Sequence, residues 1–334
     1  MPIFQNYLNK RHSTRNLSDE QFQSLVSTLS KELSEIDYTH SYTSQQLNKD
    51  WHDLINWKTD KNFINSTNRV GMKLCEHFFP NFYEIENNKG SSFKSIWKDP
   101  KSLEKILTWN RKSHSTPYLS ELKRGVYFCC GLPKSTMYRP QMSKMICLKY
   151  KPKLVLDPCA GWGGRMLGVV SSGANYIAFD PNTETYKNLL SLSKYLNIQD
   201  KVTIICDDAR NMLNYNLPKV DMVLTSPPYF DLEIYTHEDT QSISSTTTYS
   251  QWSENFLKDI IEKSVSLLTP NGVSCWNVAK VGKNDMNVDV QVYHKNINFI
   301  KQNEFSVISS NRPSSQKKNI KKSSDDTVVY ADLV

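Results

Sequence analysis

Up to about residue 124, apolar residues recur three and four positions apart, the spacing of one helix face. Phe22, Leu25, Leu29 and Leu33 follow Ser18-Asp19-Glu20-Gln21, which reads as a capping box opening a helix. The same periodicity predicts helices over 44–58, 69–79, 100–112 and 117–124, with a polar loop at 86–92. After Lys149 the pattern changes to short apolar runs alternating with helical stretches. Strands are predicted at 153–156, 176–179, 202–205, 221–224 and 272–278, and helices at 166–171, 184–196, 249–268 and 287–302. Two further strands, 305–309 and 327–334, flank a polar, lysine-rich loop. Such alternation predicts an α/β, doubly wound and mostly parallel sheet with helices on both faces, behind an N-terminal helical domain. The boundary falls near residue 130, giving domains 1–130 and 131–334.

Composition narrows the class without naming a function. Apolar residues make up 38% and charged ones 22%, and no run of about twenty apolar residues exists to span a membrane. Residues 1–16 are too polar for a signal peptide, so an intracellular setting is expected. Of seven cysteines only Cys129 and Cys130 lie close together, which is neither a disulfide framework nor a zinc spacing, and no metal is expected. The net charge of +7 suits a polyanionic partner, and equally a solvated lysine-rich surface. Trp51, Trp57, Trp97 and Trp109 stand among basic residues. They can be read as a nucleic-acid platform, but helical spacing favours core packing.

The candidate chemistry begins where the first strand ends, in VLDPCAGWGGR. Gly161, Gly163 and Gly164 allow a tight turn with close backbone approach at a helix mouth. The lysine and hydroxyl of a phosphate-binding loop are missing, so a phosphate ligand is disfavoured. An acid facing the turn suits a cofactor with a cationic end, such as S-adenosylmethionine. Asp157 is expected to face its ammonium, directly or through water, with Cys159, Ala160, Gly161 and Gly163 lining the turn. Asp180, about twenty residues on at the end of the second strand, is the candidate acceptor for both ribose hydroxyls. Asp208, after the third strand, is placed for an adenine amino group. Three carboxylates at successive strand ends fit the ligand edge of an open α/β sheet.

The fourth strand breaks off into Thr225-Ser226-Pro227-Pro228-Tyr229. Two prolines give up two donors and fix two backbone angles, which a sheet interior does not tolerate. At a strand end beside the cofactor turn they make a rigid display. DPCAGWG together with TSPPY resembles the amino-group DNA methyltransferases, which alkylate cytosine N4 or adenine N6, over about 135–334. The resemblance implies S-adenosylmethionine as cofactor, an antiparallel strand pair at the end of the sheet, and a base flipped out of DNA. It implies Ser226 Oγ and the Pro227 carbonyl as acceptors for the base amine, held by Pro228, with Tyr229 stacking on the base. Serine at the first motif position favours cytosine N4 over adenine N6. RNA is the alternative substrate, since guanosine-N2 and rRNA methyltransferases use similar motifs. A third reading is an inactive, nucleic-acid-binding partner subunit. The oligomeric state is not legible.

Other residues carry weaker signals. The resemblance places Tyr138 and Pro140 over the methionine end of the cofactor, although they serve equally well as a link between domains. Pro158-Cys159 looks like the nucleophile of cytosine-carbon-5 enzymes, but that chemistry needs its thiol after the fourth strand, so Cys159 reads as a wall. Residues 230–248 are too long and polar for a plain connection and read as an active-site flap, with His237 on the surface. Arg312, Lys317, Lys318, Lys321 and Lys322 form a candidate phosphate clamp, or a nuclear-import tract, or a solvated hairpin tip. By elimination, the helical half is expected to grip the substrate.

Overall fold

The computed structural model describes residues 3–58, 68–113, 116–132, 135–244, 246, 248–278, 280–281, 283–297, 301–306 and 327–332. The chain divides into two compact units. The first comprises Met1–His40, Pro80–Thr136 and Glu233–Tyr235, and the second Ser41–Phe79, Met137–Leu232 and Thr236–Val334. The division differs from one cut near residue 130, because 41–79 belongs with the sheet. Helical periodicity reveals that a helix exists, not which core receives its apolar face.

The first unit is helical, with α1 (Asp19–Ser34), α4 (Phe93–Trp97), α5 (Pro100–Lys112) and α6 (Leu119–Cys129). The expected capping box opens α1: Ser18 Oγ accepts from the Gln21 amide at 3.1 Å, and Gln21 Oε1 accepts from the Ser18 amide at 2.9 Å. Phe22, Leu29 and Leu33 are buried as the spacing predicts. Trp97 is fully buried, and its indole nitrogen donates to the Ile36 carbonyl, so this tryptophan is core. Trp109 stacks on Phe128 at 5.9 Å. Residues 233–235 join this unit through paired backbone bonds between Glu86 and Ile234.

The second unit holds α2 (Ser44–Asn56), α3 (Met72–Phe78), α7 (Pro140–Tyr150), α8 (Gly164–Ser171), α9 (Thr183–Tyr195) and α12 (Met286–Asn296). The predicted helix over 249–268 is α10 (Tyr249–Trp252) running through a wider π stretch, Ser253–Lys258, into α11 (Asp259–Ser266). The strands are β1 (Leu154–Asp157), β2 (Asn175–Phe179), β3 (Val202–Ile205), β4 (Val220–Thr225), β5 (Leu268–Val278), β8 (Lys301–Ser306) and β9 (Thr327–Asp332). A small separate pair, β6 (Lys280–Val281) and β7 (Asn284–Asp285), follows β5.

The main sheet runs β3-β2-β1-β4-β5-β9-β8. Its first five strands are parallel, and β9 lies antiparallel between β5 and β8. Strand order therefore reverses between β1 and β4, as the doubly wound reading requires, and that crevice is where such sheets take ligands. The terminal antiparallel pair is also as expected. Leu156, Ile177, Phe179 and Val223 share one buried core with Trp252, Ile260 and Trp276.

The helix α7, unmarked by periodicity, is packed tightly on α8. A Cβ on Gly168 would come within 2.0 Å of both the Pro140 carbonyl oxygen and Ser143 Oγ. Two backbones touch there, which only glycine permits. Gly168→Ala should therefore lower the thermal midpoint, at a cost of about 1–3 kcal/mol or more. An unchanged melting curve would contradict this close approach.

Candidate functional site

A buried carboxylate organises the β1 end. Asp157 is fully buried, and four donors reach its two oxygens. Arg165 Nε and Tyr176 Oη each lie 2.6 Å from Oδ2. Thr225 Oγ1 at 2.7 Å and the Cys159 amide at 3.1 Å meet Oδ1. Asp157 was expected to present an oxygen to a cofactor ammonium. The structure instead commits that carboxylate inward, because an unpaired buried charge would be costly. Burial works against the Arg165 charge, but the adjacent Asp157 carboxylate outweighs it and holds the guanidinium above its ordinary value. Arg165 also donates to the Cys159 carbonyl. Tyr138 lies over its guanidinium at 5.1 Å.

This network spans β1, β2, α8, the segment before α7 and the last residue of β4. Arg165, Tyr176 and Thr225 are members that sequence motifs do not single out. One signal exists: an arginine in the otherwise apolar run GRMLGVV has to find a buried partner.

The rest of the turn sits where expected. Gly161 has φ +58°, a left-handed backbone that favours glycine, and an added Cβ would meet the Arg165 guanidinium at 3.7 Å. The Gly161 amide donates to Asp180 Oδ2 at 2.9 Å, and the Asn182 amide to Oδ1 at 3.1 Å. Burial pushes the Asp180 carboxyl up to about 7, against the lowering effect of those two amides. Asp208 caps the short helical turn after β3 through the Arg210 amide, and its carboxylate grips the Arg210 guanidinium at 2.7 Å. That side chain, expected to face an adenine, is engaged with Arg210. Burial, reinforced by Asp157, raises the Cys159 thiol well above its ordinary value, which suits a wall residue and not a nucleophile. Ala160 is buried behind the turn. Pro140 opens α7, and the Tyr138 hydroxyl is buried without a hydrogen-bond partner among the described residues.

Ser226, Pro227, Pro228 and Tyr229 follow β4 directly, next to the β1 end. Thr225, one residue earlier, is bonded to Asp157, so the proline loop and the glycine turn share one anchor. Ser226 is half-buried, and Asn277 on β5 donates an amide hydrogen to its Oγ at 3.3 Å. Phe230 takes a left-handed backbone, φ +49°, and packs on Tyr249 and Trp252. The chain then crosses to α9: Glu238 accepts from the Thr183 amide at 3.2 Å and from its hydroxyl. Ser242 accepts from the buried Trp252 indole at 3.1 Å. His237 is exposed, as expected. Arg312, Lys317, Lys318, Lys321 and Lys322 lie outside the described residues.

A model of the family "RNA cap guanine-N2 methyltransferase" matches residues 152–305, a stretch that includes both the glycine turn and the proline loop. No curated protein matches. Among solved structures, the chain is similar to an S-adenosylmethionine-dependent O-methyltransferase from Thermotoga maritima, at 13% identity, TM-score 0.41, covering 61% of this chain and 69% of that one. It is also similar to an rRNA methylase from Streptococcus thermophilus, at 15% identity, TM-score 0.39, covering 60% and 99%.

The sheet order and the family match define the class: an S-adenosylmethionine-dependent methyltransferase. Asp180, at the β2 end beside the glycine turn, is the carboxylate that would accept that cofactor's ribose hydroxyls. No described helix is long and apolar enough to cross a membrane.

Two outcomes are expected from this geometry. Arg165→Met should cost about 3–5 kcal/mol by stranding the Asp157 charge. The double variant Asp157→Asn/Arg165→Met should recover part of that loss in a thermal melt. Separately, ribose hydroxyls donate best to an ionised Asp180. Cofactor affinity should therefore rise as pH climbs through about 7, with protons released on binding. Calorimetry in buffers of different ionisation enthalpy reads both, and a flat profile from pH 6 to 8 would oppose the assignment.

Proposed function

We propose that this protein methylates the exocyclic N2 amine of a guanine in RNA, a cap guanine being the substrate best supported. The family match across both strand ends carries this reading. S-Adenosylmethionine supplies an electrophilic methyl on its sulfonium. Ser226 Oγ and the Pro227 carbonyl accept hydrogen bonds from the base amine and draw its delocalised lone pair toward tetrahedral geometry. Pro227 and Pro228 hold those acceptors at fixed angles, which lowers the reorganisation needed at the transition state. Tyr229 stacks on the base. With the cofactor bound, the amine nitrogen would take the methyl as the carbon–sulfur electron pair goes to sulfur, and the amine proton would leave to solvent after attack.

The same loop chemistry serves cytosine N4 or adenine N6 in DNA, and serine at the first motif position favours cytosine N4 within that second reading. Incubation with labelled cofactor and capped RNA, uncapped RNA, single-stranded DNA and duplex DNA separates the two. Digestion to nucleosides should then yield N2-methylated guanosine from RNA. Label confined to N4-methylcytosine in DNA would refute the RNA proposal. Ser226→Ala should bind cofactor unchanged and lose about a hundredfold in turnover, since removing one fixed hydrogen-bonding group at a reacting centre costs about 10²–10³.

A further inference from the structure

The Asn277 side chain stands beside the reacting loop and is only partly used. Register pairs Thr225 with Trp276, so Asn277 sits opposite Ser226, one step past the last paired residues of β4 and β5. It is 6% exposed. Its Nδ2 donates to Ser226 Oγ at 3.3 Å. Its Oδ1 is buried and has no hydrogen-bond partner among the described residues. Neighbours on β5 explain why it faces this way. Trp276 Nε1 and His294 Nε2 both meet Ser274 Oγ, at 2.7 and 2.9 Å, which fixes residues 274 and 276 on the other face of the strand. Strand alternation then turns Asn277 away from them.

A buried acceptor without a donor is destabilising, so a site that keeps one gains specificity when a ligand supplies the donor. The amide is planar, so Oδ1 lies beside the nitrogen that holds Ser226 Oγ. Two acceptors thus stand next to each other at the ends of β4 and β5. We infer that Asn277 is a specificity-determining residue of the base site, with Ser226 Oγ receiving the exocyclic N2–H of guanine and Asn277 Oδ1 receiving the adjacent N1–H. Among the base amines, guanine offers a donor next to its amine. Cytosine and adenine offer a ring nitrogen acceptor there, which would face Oδ1 lone pair to lone pair. The donating Nδ2 also occupies one lone pair of Ser226 Oγ and leaves the other for the amine.

This inference rests on the proposed guanine-N2 reading and adds the residue that enforces it. The test compares capped RNA carrying guanine with the same RNA carrying 2-aminopurine, which keeps the N2 amine and replaces N1–H with an acceptor. Wild-type kcat/KM should favour guanine by about ten- to a hundredfold. Asn277→Leu, close in shape and without polar atoms, should abolish that preference by losing activity on guanine. Asn277→Asp keeps an acceptor facing N1–H and removes the donor to Ser226. It should keep the preference while kcat falls for both substrates. It also covers the case in which Asn277→Leu fails to fold. A preference unchanged in Asn277→Leu, or absent in folded Asn277→Asp, overturns the inference and leaves guanine methylation standing. Wild-type activity confined to cytosine or adenine overturns both.

Discussion

The buried ion pair between Asp157 and Arg165 is the constraint on which the site depends. A carboxylate and a guanidinium removed from water hold their charges only with good geometry and full hydrogen bonding. Here each oxygen of Asp157 has two donors, drawn from the guanidinium, a tyrosine of β2, a threonine of β4 and the backbone of the glycine turn. The pair therefore brings with it the positions of four segments. It also explains how the glycine turn and the proline loop keep one alignment. Both are tied to the same two oxygen atoms.

Close backbone contact provides the other half of the rigidity. Gly164 and Gly168 lie one turn apart on α8, where the Tyr138 and Pro140 carbonyls approach too closely for any side chain. The polypeptide entering β1 is thereby pressed onto the helix that leaves it. Tyr138 is placed against the guanidinium of Arg165 by that contact. Cation, ring and carboxylate form a buried stack behind the turn that carries Gly161.

In the proposed reaction the proline loop would select a kind of atom more than a base. Any exocyclic amine with a delocalised lone pair would benefit from a fixed acceptor, so Ser226-Pro227-Pro228-Tyr229 alone would not separate cytosine, adenine and guanine. Under that proposal, discrimination falls to a neighbour that reads the ring atom beside the amine. The neighbour proposed for it on β5 is Asn277, with one end on Ser226 and the other without a protein donor among the described residues.

Much of the architecture was legible in the chain. Alternation of apolar runs and helical stretches determined the α/β class, the parallel order and the antiparallel end, because burial on both faces demands those patterns. Glycines and prolines marked the two loops, since few other residues adopt their backbone angles. The resemblance to DNA methyltransferases pointed to the general class, an S-adenosylmethionine-dependent methyltransferase, while the family match is to an RNA enzyme and not to a DNA one. Tertiary structure alone decided that 41–79 belongs with the sheet and that Asp157 gathers Arg165, Tyr176 and Thr225. It alone brought Asn277 onto Ser226. The physical reason is common to all of these. Local patterns specify which face of an element is buried, but a buried polar atom is satisfied by partners tens of residues away, and only folding brings them within bonding distance.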